Sequence, residues 1–91
     1  MDKIILRSVL VALFDLARAN LPATVDRLGG RVGLPDDLTR RALAHLEADG
    51  LADATRVRLS MLGLALATRL VEQRELDRRP EHSAERVDLA A

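Results

Sequence analysis

Residues 23–51, ATVDRLGGRVGLPDDLTRRALAHLEADGL, constrain this chain more than any other stretch. Val25, Leu28 and Val32 recur at helical spacing, Gly33-Leu34 breaks the pattern, and Pro35 restarts it. Proline suits the first helical position, where its missing N–H would have had no partner. Asp36 and Asp37 then place carboxylates in a first turn, where the helix dipole favours them. At about 100° per residue, Leu38, Thr39, Ala42, Leu43 and Leu46 fall on one side. Asp37, Arg40, Arg41, Ala44, Glu47 and Ala48 fall on the other. Gly50 ends this helix, which spans 35–49, and Leu51 packs back beneath it. The preceding helix, about 23–32, contains Gly29-Gly30, which weakens it. Either the helix ends early there or Gly29 admits a close crossing of the next helix. The crossing is the favoured reading.

The flanking segments are also helical. Residues 2–19 are apolar almost all round, with Asp2 at the start and Asn20-Leu21-Pro22 as the stop. Arg7 and Asp15 occupy the narrow polar strip. A helix apolar on most sides needs more than one cover. In a chain this short a second copy supplies it most easily, so Ile5, Val9 and Leu13 are expected at a two-fold interface with Leu66 and Leu70. Residues 51–60 alternate apolar and polar side chains around Val57 and Leu59, a pattern for a small hairpin turning near Thr55-Arg56. No Gly or Asn is present there to form a tight primed turn. Ser60 is placed to cap a last helix over 61–79, with Leu62, Leu66 and Leu70 as one stripe that Leu64, Ala67 and Val71 widen, stopped by Pro80. Residues 80–91 lack periodicity and are expected to form a flexible tail. The domain therefore spans 1–79, and its fold class is mainly α with a small β-hairpin.

Composition removes several classes of function. With no cysteine, disulfides and thiolate metal sites are excluded, and His45 and His82 lack clustered partners, so no metal or cofactor is expected. Ser8, Ser60 and Ser83 have no base arranged beside them, so the chain does not read as an enzyme. His45 reads as a packing residue at the margin of the buried face. The apolar run Ile4–Ala17 is shorter than the roughly 20 residues of a membrane span and is broken by Arg7 and Asp15. The acids near and within it oppose an export signal, so a cytoplasmic protein without membrane contact is expected. Net charge is zero, but residues 27–71 carry seven Arg against five acids. Almost every cation is Arg, whose planar fork suits phosphate and guanine.

The order helix, helix, turn, helix, Leu-Glu-Ala-Asp-Gly-Leu, hairpin, helix resembles the winged helix-turn-helix domains of bacterial and archaeal transcription regulators. The local likeness is to the IclR, MarR and ArsR groups. It rests on Thr24, Leu28, Gly29, Val32, Gly33, Leu34 and Pro35, then Arg41, Leu43, Leu46, Glu47, Gly50 and Leu51, and on Arg58–Ala65. Thr39 stands where Val or Ile is more usual, and the acids Asp36 and Asp37 stand where small polar or basic residues often meet phosphate. The resemblance implies a regulator that binds double-stranded DNA as a homodimer, with the 35–49 helix entering the major groove. The candidate contacts are Thr24, Asp37, Arg40, Arg41, Ala44 and, on the hairpin, Arg56 and Arg58. Two plainer readings stand beside it. Asp36 and Asp37 can neutralise Arg40 and Arg41 as i,i+4 pairs, or these acids and Glu47 simply face water on a solvated face. The domain can also be a protein-contact module, an adaptor or assembly subunit that binds no DNA.

Overall fold

The first helix, α1, runs Lys3–Arg18 because Asp2 starts it and Asn20 stops it. The Asp2 carboxylate accepts the Ile4 N–H at 2.9 Å. At the other end Asn20 takes a left-handed φ of 55°, and the Leu21 N–H reaches back to the Leu16 carbonyl at 3.0 Å. Asn tolerates that conformation better than any other residue with a sizeable side chain. The structure, a computed structural model, describes residues 1–78. The expected tail 80–91 and the last residue of the expected final helix lie outside the described residues.

The next two helices end in the same way. Helix α2 spans Val25–Val32, opened by Thr24, whose hydroxyl oxygen accepts the Arg27 N–H at 3.0 Å. Gly33 closes it at φ 75°, with the Leu34 N–H on the Gly29 carbonyl. Helix α3 spans Asp36–Ala48. Pro35 stands one position earlier than expected, as the N-cap in extended conformation rather than the first helical residue. Gly50, φ 76°, closes α3, and the Leu51 N–H bonds the Leu46 carbonyl at 2.8 Å. Each stop is a left-handed residue followed by Leu, so each chain reversal turns an apolar side chain back toward the helix it leaves.

The hairpin pairs β1 (Ala52–Asp53) with β2 (Arg58–Leu59) antiparallel, Ala52 opposite Leu59 and Asp53 opposite Arg58. The missing Gly and Asn are replaced by two devices. Asp53 Oδ1 accepts the N–H groups of Thr55 and Arg56 at 3.0 and 3.1 Å, and Val57 takes a left-handed φ of 51°. For a β-branched residue that conformation is strained. Helix α4 (Met61–Arg78) follows, capped as expected by Ser60, whose hydroxyl accepts the Gly63 N–H at 3.0 Å.

Helix α1 packs against α2, α3, α4 and β2, so the core forms around it. Its members include Val9, Leu10, Leu13, Leu16, Leu28, Leu43, Leu46 and Ala67. Two expectations are corrected here. Val9 and Leu13, placed at a dimer contact by the sequence, are only 0% and 2% exposed within the single chain, so neither has surface to offer a partner. Helices α2, α3 and α4 all pack on α1 and close over these two side chains within the single chain. On α4 the inward seam is Gly63, Ala67 and Val71, so of the expected apolar face the widening residues Ala67 and Val71 face inward and the Leu62-Leu66-Leu70 stripe does not. Leu62 and Leu66 are exposed, and Leu70 is half-buried. The seam is small because the backbones meet closely: a Cβ on Gly63 would run into the Leu51 carbonyl. No described helix is long and apolar enough to cross a membrane.

Candidate nucleic-acid interface

The turn between α2 and α3 fixes how α3 is presented. A Cβ on Gly29 would stand 2.7 Å from the Leu34 carbonyl oxygen and 2.8 Å from Thr39 Oγ1. Only glycine lets α3 cross α2 this closely, which decides between the two readings of Gly29 in favour of packing. Thr39 itself is fully buried, and its hydroxyl donates to the Pro35 carbonyl at 3.0 Å. The hydroxyl that distinguishes Thr39 from Val thus has a partner, and burying it leaves no unmade hydrogen bond.

With Thr39, Ala42, Leu43 and Leu46 buried, the opposite face of α3 is open to solvent. Its outermost row is Asp37, Arg41, Ala44 and Ala48, spaced by four, three and four residues. Arg40 lies one row over, beside the hairpin turn, where it lines a groove with Val25, Ala54 and Thr55. The two arginines therefore take different positions: Arg41 at the crest of the helix, Arg40 in the angle between helix and hairpin. Among the described residues neither forms an ion pair with Asp36, Asp37 or Glu47, because the ion pairs found are Arg31–Asp15 and Arg56–Asp53.

Glu47 has another task, which the sequence did not signal. Its carboxylate accepts the Ala54 N–H at 3.0 Å and so ties the hairpin turn to α3. The only hint in the sequence is the distance of seven residues across a Gly50 reversal, too generic to identify the contact. On the hairpin, Arg56 is drawn back to Asp53 at 3.8 Å, whereas Arg58 is exposed and forms no ion pair among the described residues. Thr24 is exposed, its oxygen engaged in capping α2. His45 is exposed on the flank of α3 rather than packed at the margin of the core. Among the described residues no group of three or more His, Asp or Glu side chains is placed to hold a metal ion.

Thr24, Asp37, Arg40, Arg41 and Ala44 are all exposed, and Arg40 joins α3 to the hairpin turn through the groove it shares with Ala54 and Thr55. The charge of α3 is mixed: two arginines follow two aspartates on the same helix. A convex helix crest flanked by arginines can enter a groove and meet phosphate on either side. The same crest can meet a protein surface of complementary charge. No protein-family model, curated protein or solved structure matches the chain.

Proposed function

We propose that the chain is a DNA-binding transcription regulator of the winged helix-turn-helix type, with α3 as the recognition helix and the hairpin as the wing. The observation that carries this reading is the exposed Asp37-Arg41-Ala44 crest of α3, backed by buried Thr39, Ala42, Leu43 and Leu46. Arg41 reaches a base edge, with Ala44 small enough for close approach, while Arg40 and Arg58 meet phosphates beside it. Asp37 accepts from a cytosine amino group or sets the approach of Arg41.

The regulator acts as a homodimer in this reading. Support comes from the outer face of α4 and the start of α1, where Met61 is 90%, Ile4 70% and Leu62 61% exposed. Leu66 on α4 is exposed as well, and Ile5 and Leu70 are half-buried. Binding two half-sites would require the two recognition helices to lie about 34 Å apart, one DNA turn. A cytoplasmic location follows from this function.

Selection of bound sequences from random duplex DNA tests the proposal. A preferred, roughly palindromic site is expected, with affinity that falls steeply with salt. Loss of binding is expected on combining Arg40→Ala with Arg41→Ala. No binding at low salt, or none of it lost in the double variant, removes the reading. A second reading, a protein-contact module, is favoured by Asp36 and Asp37 at the start of α3 and by the same exposed apolar side chains. It takes the place of the first if the unmodified protein ignores DNA.

A further inference from the structure

Helices α1, α2 and α4 leave an open groove of about 530 Å³ between them. Half-buried Val11, Val32 and Leu70 form its apolar lining, and each of the three helices adds one exposed arginine: Arg7, Arg31 and Arg74. Asp15 lies 3.9 Å from Arg31 and offsets one of these charges. Arg7 and Arg74 form no ion pair among the described residues, so the groove carries an excess of positive charge. Three cations drawn from three separate helices around one open groove repel one another, and an anion between them removes that repulsion. Guanidinium forks match carboxylate oxygens in pairs. The volume lies within the range of about 300–1,000 Å³ usual for small-molecule sites.

We propose that this groove binds an organic anion, a carboxylate carried on an apolar body. The carboxylate sits among Arg7, Arg31 and Arg74, and the hydrocarbon covers Val11, Val32 and Leu70. An inorganic anion leaves that apolar lining wet, and a neutral hydrocarbon leaves the arginines unneutralised, so both halves of the ligand are required. The site shares no residue with the α3 crest, and its occupancy does not depend on DNA binding.

Octanoate, octanol and inorganic phosphate are the probes, titrated into the full chain at constant ionic strength and followed by amide NMR shifts. Octanoate is expected to move the amides of Val11, Val32 and Leu70 saturably, with a Kd below about 1 mM. Octanol and phosphate are expected to bind at least about tenfold more weakly. Combining Arg7→Gln with Arg74→Gln should weaken octanoate at least about tenfold without lowering the melting temperature of the ligand-free chain. Equal binding of octanol overturns the proposal, as do octanoate shifts centred elsewhere or unsaturable, or an affinity unaffected by the paired substitution. The comparison among probes on the unmodified chain decides the matter even if the variant folds poorly.

Discussion

The Leu51 carbonyl fills the space where a side chain on Gly63 would stand. It also accepts the Ser60 N–H at 3.0 Å, so the reversal after α3 and the first turn of α4 are locked backbone to backbone. Gly63→Ala therefore forces main chain apart, not the end of a flexible side chain. The expected loss is about 3 kcal/mol, at the upper end for overpacking. Against a total of roughly 5–10 kcal/mol for so small a domain, that lowers the melting temperature severely. Gly30→Ala, where a Cβ meets nothing within 4 Å, is the control and should be neutral or slightly stabilising. Thermal unfolding of the two variants checks the pair, and similar melting temperatures would contradict the close approach.

Ser60 both accepts from Gly63 N–H at 3.0 Å and donates to the Gly50 carbonyl at 2.6 Å. Ordinary N-caps accept Asp as readily as Ser. Here a carboxylate keeps the cap but faces a carbonyl oxygen with no proton to give. Ser60→Ala is expected to cost about 1–2 kcal/mol, and Ser60→Asp no less. Full rescue by Asp in urea unfolding would show that the bond to Gly50 contributes nothing.

Val57 holds a left-handed φ of 51° while its side chain packs half-buried against the core. Alanine retains the backbone strain and loses the packing; glycine loses the packing but relieves roughly 1–2 kcal/mol of strain. Val57→Gly should consequently be the more stable of the two, a reversal of the usual order for half-buried positions. Denaturation midpoints in the order Ala above Gly would refute the strain at this turn.

Arg40 and Arg41 occupy different rows of α3, so under the proposed function their substitutions should differ in kind. Arg41→Ala is expected to cost about 1–3 kcal/mol at the preferred site and to relax specificity at one base pair. Arg40→Ala should weaken binding to all sequences alike and reduce the salt slope by about one. Fluorescence anisotropy on matched and mismatched duplexes separates these outcomes; identical profiles would place both arginines on phosphate.

Burial divides the apolar residues of α1 and α4 into two groups. Leu13→Ala, inside the core, should destabilise the chain by about 2–5 kcal/mol whatever its oligomeric state. Leu62→Glu, on the open side of α4, should leave secondary structure nearly unchanged, convert the proposed dimer to a monomer and remove any dependence of unfolding on protein concentration. Light scattering across micromolar concentrations reads the second effect. An unmodified chain that is already monomeric there would argue against the dimer.

The element order and most helix ends were legible in the residues. Asp2, Thr24 and Ser60 start helices through hydrogen bonds that reach only two or three positions ahead. Gly33 and Gly50 stop them through a left-handed turn completed by the following Leu. The face that α3 exposes was equally readable, because its apolar residues occupy a single stripe. The hairpin turn was harder. Its stabilisers, an Asp53 side chain and a strained Val57, are not the residues that usually announce a turn.

Sequence alone determined those starts and stops and the orientation of α3, because capping and amphipathic spacing act over a few residues and need no distant partner. Tertiary structure decided what periodicity leaves open. A helix apolar on nearly every side does not indicate which side is covered, so Val9 and Leu13 went to the core only because α2, α3 and α4 close over them. On α4 the short distance between backbones at Leu51 and Gly63 selected the small seam and left the larger leucines outside. The tie from Glu47 to the hairpin and the three-arginine groove likewise exist only once segments far apart in the chain are brought side by side.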